Sequence, residues 1–166
     1  MTFDECFEVV MEIEGFAKVS DDPDDNGGLT KWGISEAAYP DMSTDEILAL
    51  TKTKAKAIYK RDYWDAISAV KLPIIVRLSV FDAAVNHGVL GAGKLIQKAV
   101  NQSGANLIVD GIIGPISQAA IKKMLASEFL ENFSMERLKF YQKLSDFNKF
   151  GNGWTRRLFK VAIKTV

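Results

Sequence analysis

Apolar positions recur at helical spacing along most of the chain. Over residues 3–14, Phe3, Phe7 and Val10 share one face at about 100° per residue, while Asp4, Glu5, Glu8 and Glu12 take the other. This predicts an amphipathic helix that ends with Glu14 among the apolar positions. Ser35 is placed to cap a short helix that Pro40 ends, and Ser43-Thr44-Asp45-Glu46 forms a capping box opening a helix over 45–50. Residues 53–65 carry Ala57, Ile58, Arg61 and Trp64 at helical spacing, with Tyr59 and Tyr63 beside them. Pro73 suits the first position of a helix running to about 87, apolar nearly all round and so expected at the centre. Its one polar stripe is Ser79, Asp82 and Asn86, which requires partners, water or a cleft. Gly88 breaks this helix. Further helices are expected over 92–102, 115–125 and 128–148, then a turn at 151–153 and a basic amphipathic helix over 154–165. The fold class is mainly α.

The chemistry concentrates between Glu14 and Ser35, where 22 residues hold five carboxylates, four glycines and one threonine. Glycosidic bond cleavage needs two carboxyl groups in different environments, one protonated and one charged. Glu14 is the one acid of the first helix placed against the core. Partial burial disfavours its charged form and suits a general acid; a solvated helix end is the competing reading of the same periodicity. The following loop reads three ways. Asp-Pro, Asn-Gly and Gly-Gly steps suffice for plain turns. Asp22, Asp24 and Asn26-Gly27 match the opening of a calcium loop, but Gly33 stands where the closing bidentate Glu belongs, which argues against a metal. The third reading is a catalytic loop with a second carboxylate from Asp22, Asp24 or Asp25 and a hydroxyl, Thr30, able to hold a water.

This run resembles the signature of glycoside hydrolase family 108, N-acetylmuramidases whose motif reads roughly E-G-G-Y, then N-D-P-x-D-x-G-G-x-T-x-x-G-I. Glu14-Gly15, Asp22-Pro23, Asp25, Gly27-Gly28, Thr30 and Gly33-Ile34 stand at the matching positions. Phe16 replaces the second glycine and Ala17 the aromatic after it. Shorter matching blocks follow in the family's order: Tyr59 to Trp64, Phe81 to Gly88, Asp110 to Pro115, and Gly153-Trp154. The resemblance implies a compact lysozyme-like helical domain, with room for a small β-hairpin after the first helix. It implies one unit over 1–166, with a catalytic part over 1–90 and a helical peptidoglycan-binding-like part over 91–166. Glu14 would be the general acid, and Asp25 with Thr30 the second catalytic group. Asp22, Trp32, Tyr63, Trp64, Asp82 and Asn86 are the candidate substrate-binding residues; aromatic residues at helical spacing, and a buried polar stripe, are as readily core. The activity implied is that of an endolysin acting on peptidoglycan glycan strands, with no cofactor. A non-catalytic wall-binding protein that keeps the fold is the alternative.

Length and charge narrow this picture. With 166 residues, 48% of them hydrophobic, the chain can bury one sizeable core, and a monomer is expected. Residues 1–30 hold nine acids and one base, leaving twelve acids and twenty bases for the remainder. The basic part is the candidate wall-facing surface, with a solvated face the equal alternative. No basic excess of the kind nucleic-acid binding needs is present. The single cysteine, Cys6, is expected buried and inert. His87 lacks partners for a zinc site and is expected to hydrogen-bond at a helix end. The acidic start lacks the signature of a signal peptide, and no apolar run is long enough for membrane insertion. A cytoplasmic location before release to the wall is therefore expected.

Overall fold

A computed structural model describes residues 1–14 and 28–165, the side chain of Glu14 excepted. Helix α1 spans Phe3–Glu14 and buries Cys6, Phe7, Val10 and Met11, while Asp4, Glu5, Glu8 and Glu12 face solvent. A two-stranded antiparallel hairpin follows, β1 (Thr30–Lys31) against β2 (Ile34–Ser35), which the sequence left open. Helix α2 (Thr44–Leu48) begins with the expected capping box: Ser43 accepts from the Glu46 amide while the Glu46 carboxylate accepts from the Ser43 amide. Helix α3 (Lys52–Tyr59) runs into a π-helical segment, Lys60–Asp65, and two 3-10 turns, Ala69–Lys71 and Ile74–Val76.

The central helix is α4 (Arg77–His87), with seven residues buried from Leu78 to Ala84. It touches α1, the π segment, both 3-10 turns, and the later helices α5 (Val89–Asn101) and α8 (Phe147–Thr165). Between these lie α6 (Pro115–Lys123) and α7 (Ala126–Gln142). The Asp110-Gly111 turn docks on α5 so closely that a Cβ on Gly93 would stand 1.9 Å from the Gly111 carbonyl oxygen. Gln97 fixes it, accepting from the Gly111 amide at 2.7 Å and donating to Asp110 Oδ1 at 2.7 Å.

Five expectations need correcting. The segment after Ser35 is a turn, because Ser35 belongs to β2 and its Oγ accepts from the Ala38 amide. The helix over 53–65 changes register at Lys60. Tyr59 and Trp64 are both buried, and a five-residue spacing sets them about 140° apart on an α-helix but on one face where bonds run i→i+5. Pro73 has extended backbone (φ −52°, ψ 138°) and caps a 3-10 turn, so α4 starts only at Arg77. Gly88, at φ 71°, makes the break before α5 a single residue, and α5 begins at Val89. Helix α7 stops at Gln142, and α8 starts at Phe147 and passes straight through Gly151 and Gly153. Gly151 is there for space: a Cβ would lie 2.7 Å from the Phe147 ring. Helix α8 packs on α1, α4 and α7 through Gly151, Val161 and Thr165.

Candidate functional site

Glu14 is the last residue of α1, and the helix is fixed by side chains no more than 1% exposed at Cys6, Phe7, Val10 and Met11. The Glu14 side chain, Asp22 and Asp25 lie outside the described residues, as do most positions of the calcium-like loop. Burial pushes the Cys6 thiol up to about 12, which keeps it inert. Among the described residues no cluster of three or more metal-ligating side chains occurs.

One tyrosine links the hairpin to the middle of α1. The Tyr59 ring packs edge-on against Phe7 of α1 at 5.6 Å, and its hydroxyl donates to the Trp32 carbonyl at 3.0 Å. Trp32 and Gly33 form the two-residue turn, both with positive φ, 57° and 70°. Such turns match strand twist but favour glycine or asparagine; holding a tryptophan there costs about 1–3 kcal/mol. Gly33 cannot be larger, since a Cβ would sit 2.4 Å from the Tyr59 hydroxyl. The Trp32 indole nitrogen is enclosed and has no hydrogen-bond partner among the described residues. Thr30 is half-buried, its hydroxyl donating to the Gly28 carbonyl at 3.3 Å. Glu36 closes the base of the hairpin, accepting from the Leu29 amide and from the Thr44 hydroxyl of α2.

Tyr63 is half-buried and tilts against Tyr59 at 5.4 Å, so one side chain contacts both the Tyr63 ring and the Trp32 main chain. Burial, and then the neighbouring Tyr63, push the Tyr39 hydroxyl up; it donates to Asp62 at 3.0 Å. Trp64 stands apart. It is 3% exposed and lies edge-on between Phe3 and Phe81, within the core.

The polar stripe of α4 is satisfied internally. Asp82 is fully buried and takes Arg137 of α7 on Oδ2 at 2.7 Å and Arg157 of α8 on Oδ1 at 2.9 Å. Ser79 bonds Thr165, and Asn86 accepts from the Tyr141 hydroxyl. His87 accepts from Arg137 Nε at 3.1 Å; burial first, then Arg137, lower its pKa to about 3, so it is neutral at neutral pH. Asn86 alone of the stripe is exposed, at the mouth of a recess shared with Ile13 and Trp154.

Sequence reasoning gave Tyr59 no part in holding the hairpin, and did not find Arg137. A signal existed for the second: Phe133, Arg137 and Tyr141 follow at four-residue steps on the buried face of α7. A cation inside an apolar stripe demands a buried acid. For Tyr59 there was only its position beside Tyr63.

Residues 7–88 match the family model described as Glycosyl hydrolase 108, and residues 91–159 match that of a Predicted Peptidoglycan domain. The solved structure of SagA from Brucella abortus is similar over 98% of this chain and 92% of that one, with 34% identity and a TM-score of 0.85. The chain belongs to glycosyl hydrolase family 108. No curated protein matches it. The family 108 segment carries α1 from Phe7 on, the hairpin and α4, and it ends at the Gly88 break. Membership in this family, with the peptidoglycan segment beside it, indicates a lysozyme-like protein of the glycosyl hydrolase class that acts on peptidoglycan. Among the described residues no helix is long and apolar enough to cross a membrane.

Proposed function

We propose that the protein is a muramidase that hydrolyses the β-1,4 bond between N-acetylmuramic acid and N-acetylglucosamine, and that it serves as an endolysin. The observation that supports this best is the placement of Glu14. It ends a helix anchored in the core, within a chain that aligns with a family 108 relative along nearly its whole length. In this reading Glu14 protonates the departing glycosidic oxygen. Asp25 supplies the second carboxylate, stabilising positive charge at the anomeric carbon or activating water, and Thr30 holds that water. Trp32 and Tyr63 hold the sugar rings. The strained Trp32 backbone at the hairpin turn suits a residue held in place for binding. Asp22 braces the loop. Asp82 and Trp64 support the floor from within the core. As an endolysin the protein reaches the wall after another component opens the membrane.

The test is to incubate purified protein with peptidoglycan and identify the sugar at each new reducing end. Muramic acid ends are expected, and Glu14→Gln should lower turnover by about 10²–10⁴-fold with the fold intact. Glucosamine ends would make it a different glycosidase. No ends from a folded protein that still binds wall would make it a binding protein.

A further inference from the structure

Helix α8 carries Arg156, Lys160 and Lys164 at four-residue steps, so the three lie on one face. Lys164 is neutralised by Glu12 of α1 at 2.7 Å. Arg156 and Lys160 are exposed, and neither has an ion-pair partner among the described residues. Both line a recess of about 260 Å3 that reaches Ile13, the neighbour of Glu14. Asn86 lines it too, and its Oδ1 is taken by Tyr141, which leaves the Nδ2 hydrogens as donors. No carboxylate is among the described lining residues. Gly153 opens the wall of the recess, since a Cβ there would meet nothing within 4 Å.

Like charges one turn apart on a helix repel, and among the described residues no acid pairs with either. We propose that Arg156 and Lys160 form a carboxylate-binding subsite that holds the peptidoglycan strand beside Glu14, an inference that rests on the muramidase reading for its substrate. The strand offers such carboxylates in two places. One is the lactyl group of muramic acid wherever the peptide is missing, and the other is the stem peptide itself. A guanidinium and an ammonium one turn apart, with an amide between α4 and α8, give charge-assisted hydrogen bonds to either. The recess thereby selects charged wall strands over neutral chitin-type chains.

The experiment measures co-sedimentation of the full chain with insoluble peptidoglycan, at low and high salt, for wild type, Arg156→Gln/Lys160→Gln and Gly153→Glu. The double variant should bind about tenfold more weakly at low salt and lose most of its salt dependence. Gly153→Glu, which adds an acid in open space, should do the same with its melting temperature kept. A deficit that persists on amidase-stripped strands assigns the lactyl carboxylate, and one seen only on intact strands assigns the stem peptide. Wild-type binding by both variants, or an equal deficit on neutral chitin, overturns the subsite. Reducing-end release by wild type is scored separately. If it is absent while the binding deficit stands, the muramidase reading fails and the subsite survives.

Discussion

Asp82 Oδ2 lies 2.7 Å from Arg137 Nη2, with Asp82 0% and Arg137 2% exposed. The pair ties the family 108 segment to the predicted peptidoglycan segment at the centre of the molecule. Removing one partner of such a pair leaves the other charge buried and uncompensated. Asp82→Asn should therefore lose about 3–5 kcal/mol in urea unfolding, although it preserves shape. A loss below about 1 kcal/mol would mean that solvent or Tyr141 compensates Arg137.

The pH dependence of stability follows from His87. Its folded pKa is lowered from 6.5 to about 3, chiefly by burial and next by Arg137. A base with a depressed folded pKa is protonated first in the unfolded chain. Its stabilising contribution is full above pH 6.5 and declines as pH falls towards 3, by up to ~1.4 kcal/mol per unit. His87→Gln keeps an acceptor for Arg137 Nε and should flatten this slope. Parallel slopes for variant and wild type between pH 6 and about 4 would place acid sensitivity elsewhere.

The hairpin turn gives a coupled test. Gly33→Ala meets both a φ of 70° and the Tyr59 hydroxyl, and should cost about 1–3 kcal/mol. In a Tyr59→Phe background the hydroxyl clash is gone and only the backbone cost remains, so the penalty should shrink. Additive losses in a double-mutant cycle would show that the contact carries no strain.

The second carboxylate can be chosen by substitution. The family signature matches Asp25, while Asp22 precedes Pro23 and is biased towards extended backbone. Asp25→Asn should lose far more turnover than Asp24→Asn, with Asp22→Asn mainly lowering the melting temperature. An inactive, fully folded Asp24→Asn would reassign the role.

Much of the fold was legible because local rules and burial agreed. The Phe3–Phe7–Val10 stripe, the Ser43–Glu46 box and the buried Cys6 all stand as read. Legibility failed where spacing was judged against the wrong helix or a glycine against the wrong constraint. Tyr59 and Trp64 share a face only in π register, and Gly151 answers to the Phe147 ring, which periodicity does not reveal. At the candidate site, the contiguous motif nominated Glu14 and Thr30, whose roles are part of the proposal. The hold of Tyr59 on the Trp32 carbonyl was not legible, because it joins residues 27 apart in sequence through one hydroxyl.

The polar contacts of α4 also bear on inheritance. Asp82, Asn86 and His87 on one side, and Arg137, Tyr141 and Arg157 on the other, form a matched set across the Gly88 break. A chimera that borrows the second half from a relative inherits only half of that set. Exchange between family members is thus confined to pairs whose acids and arginines already correspond, and the two halves are expected to travel together through recombination.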